Sequence, residues 1–185
     1  MKEHHEPMRM SWGRLGAMIA ISTVLMFVLM YQLIYRIDDA FFSMNRLVAS
    51  LVMACVMTVI MLSLMWSMYQ GAKTKAVVLS LASLGFIALL AVNRSQVLID
   101  DVSFMRAMIP HHSIAINNAR KAHIADPRVR ELANQIIESQ VREIETMKLL
   151  LRDIADEGKR GAEPLPPRST AVTPDMRMKI EAAVR

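Results

Sequence analysis

The feature that most constrains this chain is a succession of three long uncharged apolar runs, followed by a densely charged carboxyl half. Leu15 to Tyr35, about 21 residues bracketed by Arg14 and Arg36, is close to the roughly 20 that a helix needs to cross the hydrocarbon core of a bilayer. A cleaved export signal would carry a shorter apolar core and a small-residue cleavage site, so this run reads as an anchor that stays. Leu47 to Tyr69 is equally free of charge and ends in Trp66 and Tyr69, ring types that favour the membrane interface. Ala76 to Val92, about 17 residues, stands at the short end of the spanning range. The basic connection Gln70 to Lys75 is tight, which makes the second and third spans antiparallel neighbours.

Such blocks explain how 54% hydrophobic residues coexist with 21% charged ones: the two halves are built for different solvents. Lys2, Arg9, Arg14, Lys73 and Lys75 lie on one side of the spans, and Arg36, Arg46, Arg94 and Arg106 on the other. This excess places residues 1–14 in the cytoplasm as a short tail, residues 15–98 in the cell's inner membrane, and the charged half on the periplasmic or extracytoplasmic side. The net charge of +5 is compatible with nucleic-acid binding. Beyond Ser95, however, the basic residues interleave with Glu and Asp at helical spacing, which marks an ion-paired, solvated face. Aromatic content is 5%, and no zinc-finger or RNA-binding motif is present, so no nucleic-acid partner is expected. Cys55 is alone and inside an apolar run, so it forms no intrachain disulfide.

Methionine is heavily used, with 17 in the chain. Met53, Met57, Met61, Met65 and Met68 recur at helical spacing along the second span, with Met18, Met26 and Met30 on the first. Two readings stand: a thioether ladder suited to a soft ion such as Cu(I), and flexible side chains packing against helices or lipid. His4 and His5, with Met8 and Met10, read as a disordered polar tail able to hold metal loosely.

From Asp100 the pattern becomes helical, with Val102, Met105, Ile109, His112, Ile116 and Ala119 tracing one stripe. Asp126 is a good N-cap and Pro127 a favourable first helical residue, so a second helix is predicted from there to about Ile154, stopped by Gly158. Its apolar positions are Val129, Leu132, Ile136, Ile137, Val141, Ile144, Met147 and Leu151. Two long helices joined by a short connection form an antiparallel hairpin, here residues 99–158. With the turn centred near Ala125, His111 and His112 fall level with Ile137 to Gln140, and Met108 with Arg142 and Glu143. Asp101, Met105, Met108 and His112 share one face of the first helix, and Gln140, Glu143 and Met147 one face of the second. Imidazole and thioether together suit copper, with Asp101, Gln140 and Glu143 available as further ligands or as groups that orient the ligands. Adjacent histidines on a regular helix point about 100° apart. Whether His111 joins His112 therefore turns on Pro110, which either kinks the helix or begins it. His123 reads as a charge complement to a helix C-terminus. Residues 159–185 are a Pro-rich linker and a short helix from Pro174 to Val184, capped by Thr173.

The segment DVSFMRAMIPHH (Asp101 to His112), followed by LANQIIESQVREIETM (Leu132 to Met147), resembles domain-of-unknown-function family 305. The likeness covers about a third of the chain and omits the spans. It implies an all-α, ferritin-like exported domain with some members associated with copper or silver, the matching positions being Asp101, Phe104, Met108, Pro110, His111, His112, Gln140, Glu143 and Met147. A single hairpin encloses little core, so a second copy, giving a homodimer through the hairpin, would complete it.

The expectation is an all-α protein of three spans and a hairpin that binds copper or silver through Met108, His111, His112, Met105 and Met147. The alternative is an interaction module whose His/Met face is an oligomer interface. A di-metal oxidase would need Glu-x-x-His on inward faces, and no Glu here has His three residues later.

Overall fold

The computed structural model describes residues 10–184. Among them the chain forms six α-helices and no strand: α1 (Trp12–Leu29), α2 (Met44–Leu64), α3 (Ala72–Ser95), α4 (Asp101–Lys121), α5 (Pro127–Glu157) and α6 (Pro174–Val184). Two compact units result. Of the described residues, one holds those up to Leu33 and Ala40–Pro110; the other holds Ile34–Asp39 and those from His111 onward. His4, His5 and Met8 lie outside the described residues.

In the first unit, α1, α2 and α3 are each long and apolar enough to cross a membrane. Their outward surfaces are greasy, with Ile21, Val24, Leu81, Leu84 and Ile87 all exposed, as helices facing acyl chains require. Every hydroxyl buried along a span needs an internal partner in such a solvent. Thr23 donates to the Ile19 carbonyl, Ser50 to that of Arg46 and Thr58 to that of Ala54. α2 packs against both other spans. Its approach to α3 is close where Gly85 faces Cys55, for a Cβ at Gly85 would stand 3.2 Å from the Cys55 sulfur.

The span limits differ from the sequence reading for identifiable reasons. α1 stops at Leu29, short of Tyr35: the Tyr31 and Gln32 amides tighten the chain onto the Val28 and Leu29 carbonyls, and farther on the Tyr35 and Arg36 amides bond to the Ser113 hydroxyl. α2 starts at Met44, with the Ser43 hydroxyl capping the Arg46 amide, so Arg46 lies inside the helix that hydropathy began at Leu47. Arg46 satisfies its charge on the Met30 carbonyl at 2.8 Å and on the Tyr31 ring. α3 is a full 24 residues, not the short run expected, because it takes in Lys73, Lys75 and Arg94. The Lys75 ammonium lies over the Trp66 ring and donates to the Trp66 carbonyl, the arrangement of a lysine reaching for the interface. Gln96, in the left-handed conformation, ends α3.

α4 is helical through Pro110, and it begins nine residues earlier, at Asp101. That excludes Pro110 as a helix start. The proline still deprives the Arg106 carbonyl of its usual amide donor. α5 begins as the sequence foretells: Asp126 accepts from the Arg128 amide, Pro127 is the first helical residue, and Gly158, with φ of 83°, follows the last. Thr173 caps α6 by accepting from the Met176 amide.

Candidate functional site

In the second unit, side chains of α5 bond to the part of α4 that follows Pro110. Near the turn, Arg130 donates to the Ala119 and Ala122 carbonyls, tying the start of α5 to the end of α4. Farther along, His112 Nε2 lies 2.7 Å from a Glu143 carboxylate oxygen. The sequence register put His112 level with Ile137 to Gln140 and gave Glu143 to Met108. That register counted backbone heights, and the discrepancy is about 7.5 Å of helix rise. Side chains on a helix lean toward its N-terminus. Glu143 therefore leans toward the turn and His112 away from it, and the two close the gap.

A carboxylate can only accept, so Nε2 carries the proton and donates to Glu143. In the neutral tautomer this leaves the lone pair on Nδ1. That atom is buried and has no hydrogen-bond partner. The His112 side chain is 9% exposed against 47% for Glu143. Leaving such a group without a partner costs about 1–3 kcal/mol, so the arrangement is incomplete by itself. Glu143 is held ionised: the Ser139 hydroxyl, donating at 2.6 Å, and then His112 keep its carboxyl below the ordinary glutamate range.

A histidine that ligates a metal through one nitrogen characteristically donates the other N–H to a carboxylate, which fixes tautomer and ring orientation. His112 and Glu143 have that form, with Nδ1 as the free nitrogen. Among the described residues no group of three or more His, Cys, Asp or Glu could hold a metal ion. Further donors of a softer kind are present on the same helix. Met108 and Met105 precede His112 by four and seven positions on α4, and so lie on its face.

The other expected residues are placed unequally. Met105 and Met147 are buried, Met108 and Gln140 half-buried, and Asp101 and His111 exposed. Asp101, Met105 and Met108 group with the first unit, whereas His111, His112, Gln140, Glu143 and Met147 group with the second. The His111 ring centroid is 6.1 Å from that of His112, in an edge-on arrangement. His123 lies past the end of α4 and is exposed; Arg120 and Lys121 occupy the last turn instead.

Sequence reasoning missed a second polar cluster. Asp39, 2% exposed, accepts from the Ser113 hydroxyl at 2.7 Å and from the Lys148 ammonium at 2.6 Å. Ser113 in turn accepts from the Tyr35 and Arg36 amides. The connection between α1 and α2 is thereby bonded to the residues that follow His112 and Met147. Its signal in the sequence was weak: an Asp in a short loop, and a Lys on a helix full of charges.

Over 60 residues the chain is 43% identical to the "Uncharacterized protein L153" of Acanthamoeba polyphaga mimivirus, a match covering 31% of this chain and 40% of that relative. The chain thus spans less than half the length of the curated relative it matches. No solved structure matches it. Residues 101–183, from the first turn of α4 into α6, match the family described as a domain of unknown function, DUF305.

Proposed function

We propose that this protein is a membrane-anchored binder of copper or silver, acting in metal homeostasis or tolerance, whose carboxyl half lies on the periplasmic or extracytoplasmic side. The observation that carries the reading is the buried, unpartnered Nδ1 of His112, with Nε2–H already committed to an ionised Glu143. A nitrogen lone pair with thioethers on the same helix face suits Cu(I) or Ag(I) better than a hard cation. His112 would be the anchoring ligand. Met108, Met105 and Met147 supply the candidate sulfur donors and His111 an outer imidazole, while Glu143 orients the ring, and Asp101 and Gln140 are further ligands or groups that orient them. No reaction is required of the metal; the residues hold it and exclude water from one side.

The full chain in detergent, titrated with Cu(I) against a chromophoric chelator, tests this. His111→Ala plus His112→Ala should weaken binding by at least about tenfold. Within that pair His112→Ala should carry most of the loss, since His111 is exposed and has no such orienting carboxylate. Unchanged affinity in the double variant sinks the proposal.

A second reading, an interaction module without metal, draws on a different observation. Val129, Leu132 and Ile136 are expected core positions that the single chain leaves exposed, Leu132 by 56%. Val129 and Leu132, with Ile180, Ala183 and Val184 of α6, line an open groove of about 760 Å³. A homodimer through the hairpin would cover them. Sedimentation with and without chelator separates the readings: a metal-independent dimer that takes up no copper favours the second.

A further inference from the structure

The methionines of the second span do not form one ladder. Met53 is exposed, whereas Met61, Met65 and Met68 converge with Met10 and Met18 on a small core made by Leu15, Leu62 and Tyr69. This cluster sits where α1 begins, α2 ends and the turn Trp66–Met68 leads toward α3. We propose that it is a binding site for a soft monovalent cation of the Cu(I) or Ag(I) class, held by the thioethers of Met10, Met61, Met65 and Met68. The proposal stands apart from the His112 site and does not depend on it.

Placement argues for more than packing. The dry interior is filled by Leu62, Tyr69 and Leu15, all nearly inaccessible, while five methionines, together with Trp12, Ile19, Val78 and Leu79, pack around it and remain partly exposed. On the same stretch of α2 Ile60 and Leu64 are exposed, whereas Met61 and Met65 are half-buried. Met61 lies in the last turn of α2, Met65 follows its end and Met68 belongs to the turn Trp66–Met68, and all three pack against the Leu62 and Tyr69 core. Met10 is brought to them by its own backbone, its amide donating to the Met68 carbonyl at 3.0 Å. Its sulfur lies 4.0 Å from the Tyr69 hydroxyl. The neighbouring cation, Lys75, is already committed to the Trp66 carbonyl and ring. No Asp or Glu occurs between residues 40 and 99, so a hard divalent ion would find no charge to neutralise it there. Neutral thioethers match a soft monovalent ion instead.

The test uses the full chain carrying His111→Ala and His112→Ala, with 13C-labelled methionine methyls, in lipid nanodiscs titrated with Ag(I). The methyl signals of Met10, Met61, Met65 and Met68 should shift together and saturate at one equivalent. Met61→Leu, Met65→Leu and Met68→Leu combined keep apolar volume, and should weaken uptake by at least about tenfold. Shifts confined to Met53, shifts that never saturate, or equal Ag(I) uptake by the leucine variant overturn the proposal. The methyl titration decides the matter even if the triple variant fails to fold.

Discussion

Replacing Lys148 with Met should release the α1–α2 connection from the carboxyl half. Met keeps most of the apolar stem but removes the ammonium that donates to Asp39 at 2.6 Å. Asp39 is 2% exposed on its side chain and Lys148 16%, so neither charge is well served by water. Removing one partner of a buried ion pair costs about 3–5 kcal/mol, because the other charge is left behind. The low end applies here, since Ser113 still donates to Asp39 and the lysine is partly wet. About 3 kcal/mol is a factor of about 150 in a local opening equilibrium. The Tyr35 amide, bonded to the Ser113 hydroxyl at 2.9 Å, reports that opening directly. Hydrogen exchange at Tyr35 should therefore quicken by about that factor in Lys148→Met. Adding Asp39→Asn should recover most of the protection, because no uncompensated charge then remains. Exchange within a factor of about three of the parent chain would refute the reasoning and reduce the pair to the worth of exposed ones such as Lys179 with Asp175.

Two further outcomes follow from single contacts. Glu143, whose carboxyl is held below the ordinary glutamate range, contributes stability that is full above that range and is lost as pH falls through its lowered value. Glu143→Gln should therefore flatten the acid limb of the stability profile below about pH 4.3, by under about 1 kcal/mol because the group is half exposed; an unchanged limb in acid titration of unfolding contradicts this. Gly85→Val should lower the melting temperature of the detergent-solubilised chain by crowding the Cys55 sulfur, at about 1–3 kcal/mol. Cys55→Ala should rescue it, and failure of that rescue would place the cause elsewhere.

Much of the architecture was legible because its signals are local. Uncharged length marks a span, and Asp126, Pro127, Gly158 and Thr173 mark helix ends by chemistry that needs no tertiary context. Where the spans stop was less legible. The apolar run Met30–Tyr35 lies beyond α1, and the Tyr35 and Arg36 amides bond to Ser113, some eighty positions away, a partner no hydropathy window contains. The stripe on α4 was readable, with Met105, Ile109, His112 and Ile116 all buried. On α5 it was not: Val129, Leu132, Ile136 and Val141 are as apolar as Ile144 and Met147, yet only the latter two are buried. Periodicity identifies an apolar position but not what covers it. The choice of Glu143 as the partner of His112 depended on the lean of two side chains, which a register counted in residues omits.

The central claim, that His112 offers a metal its Nδ1 while Glu143 holds Nε2–H, is tested most directly by side-chain 15N spectra of the histidines in the full chain as Ag(I) is added. The expected result is a coordination shift at His112 Nδ1, with the Nε2 proton retained and His111 moving little. A shift at His112 Nε2, or one centred on His111 while His112 stays fixed, would contradict it.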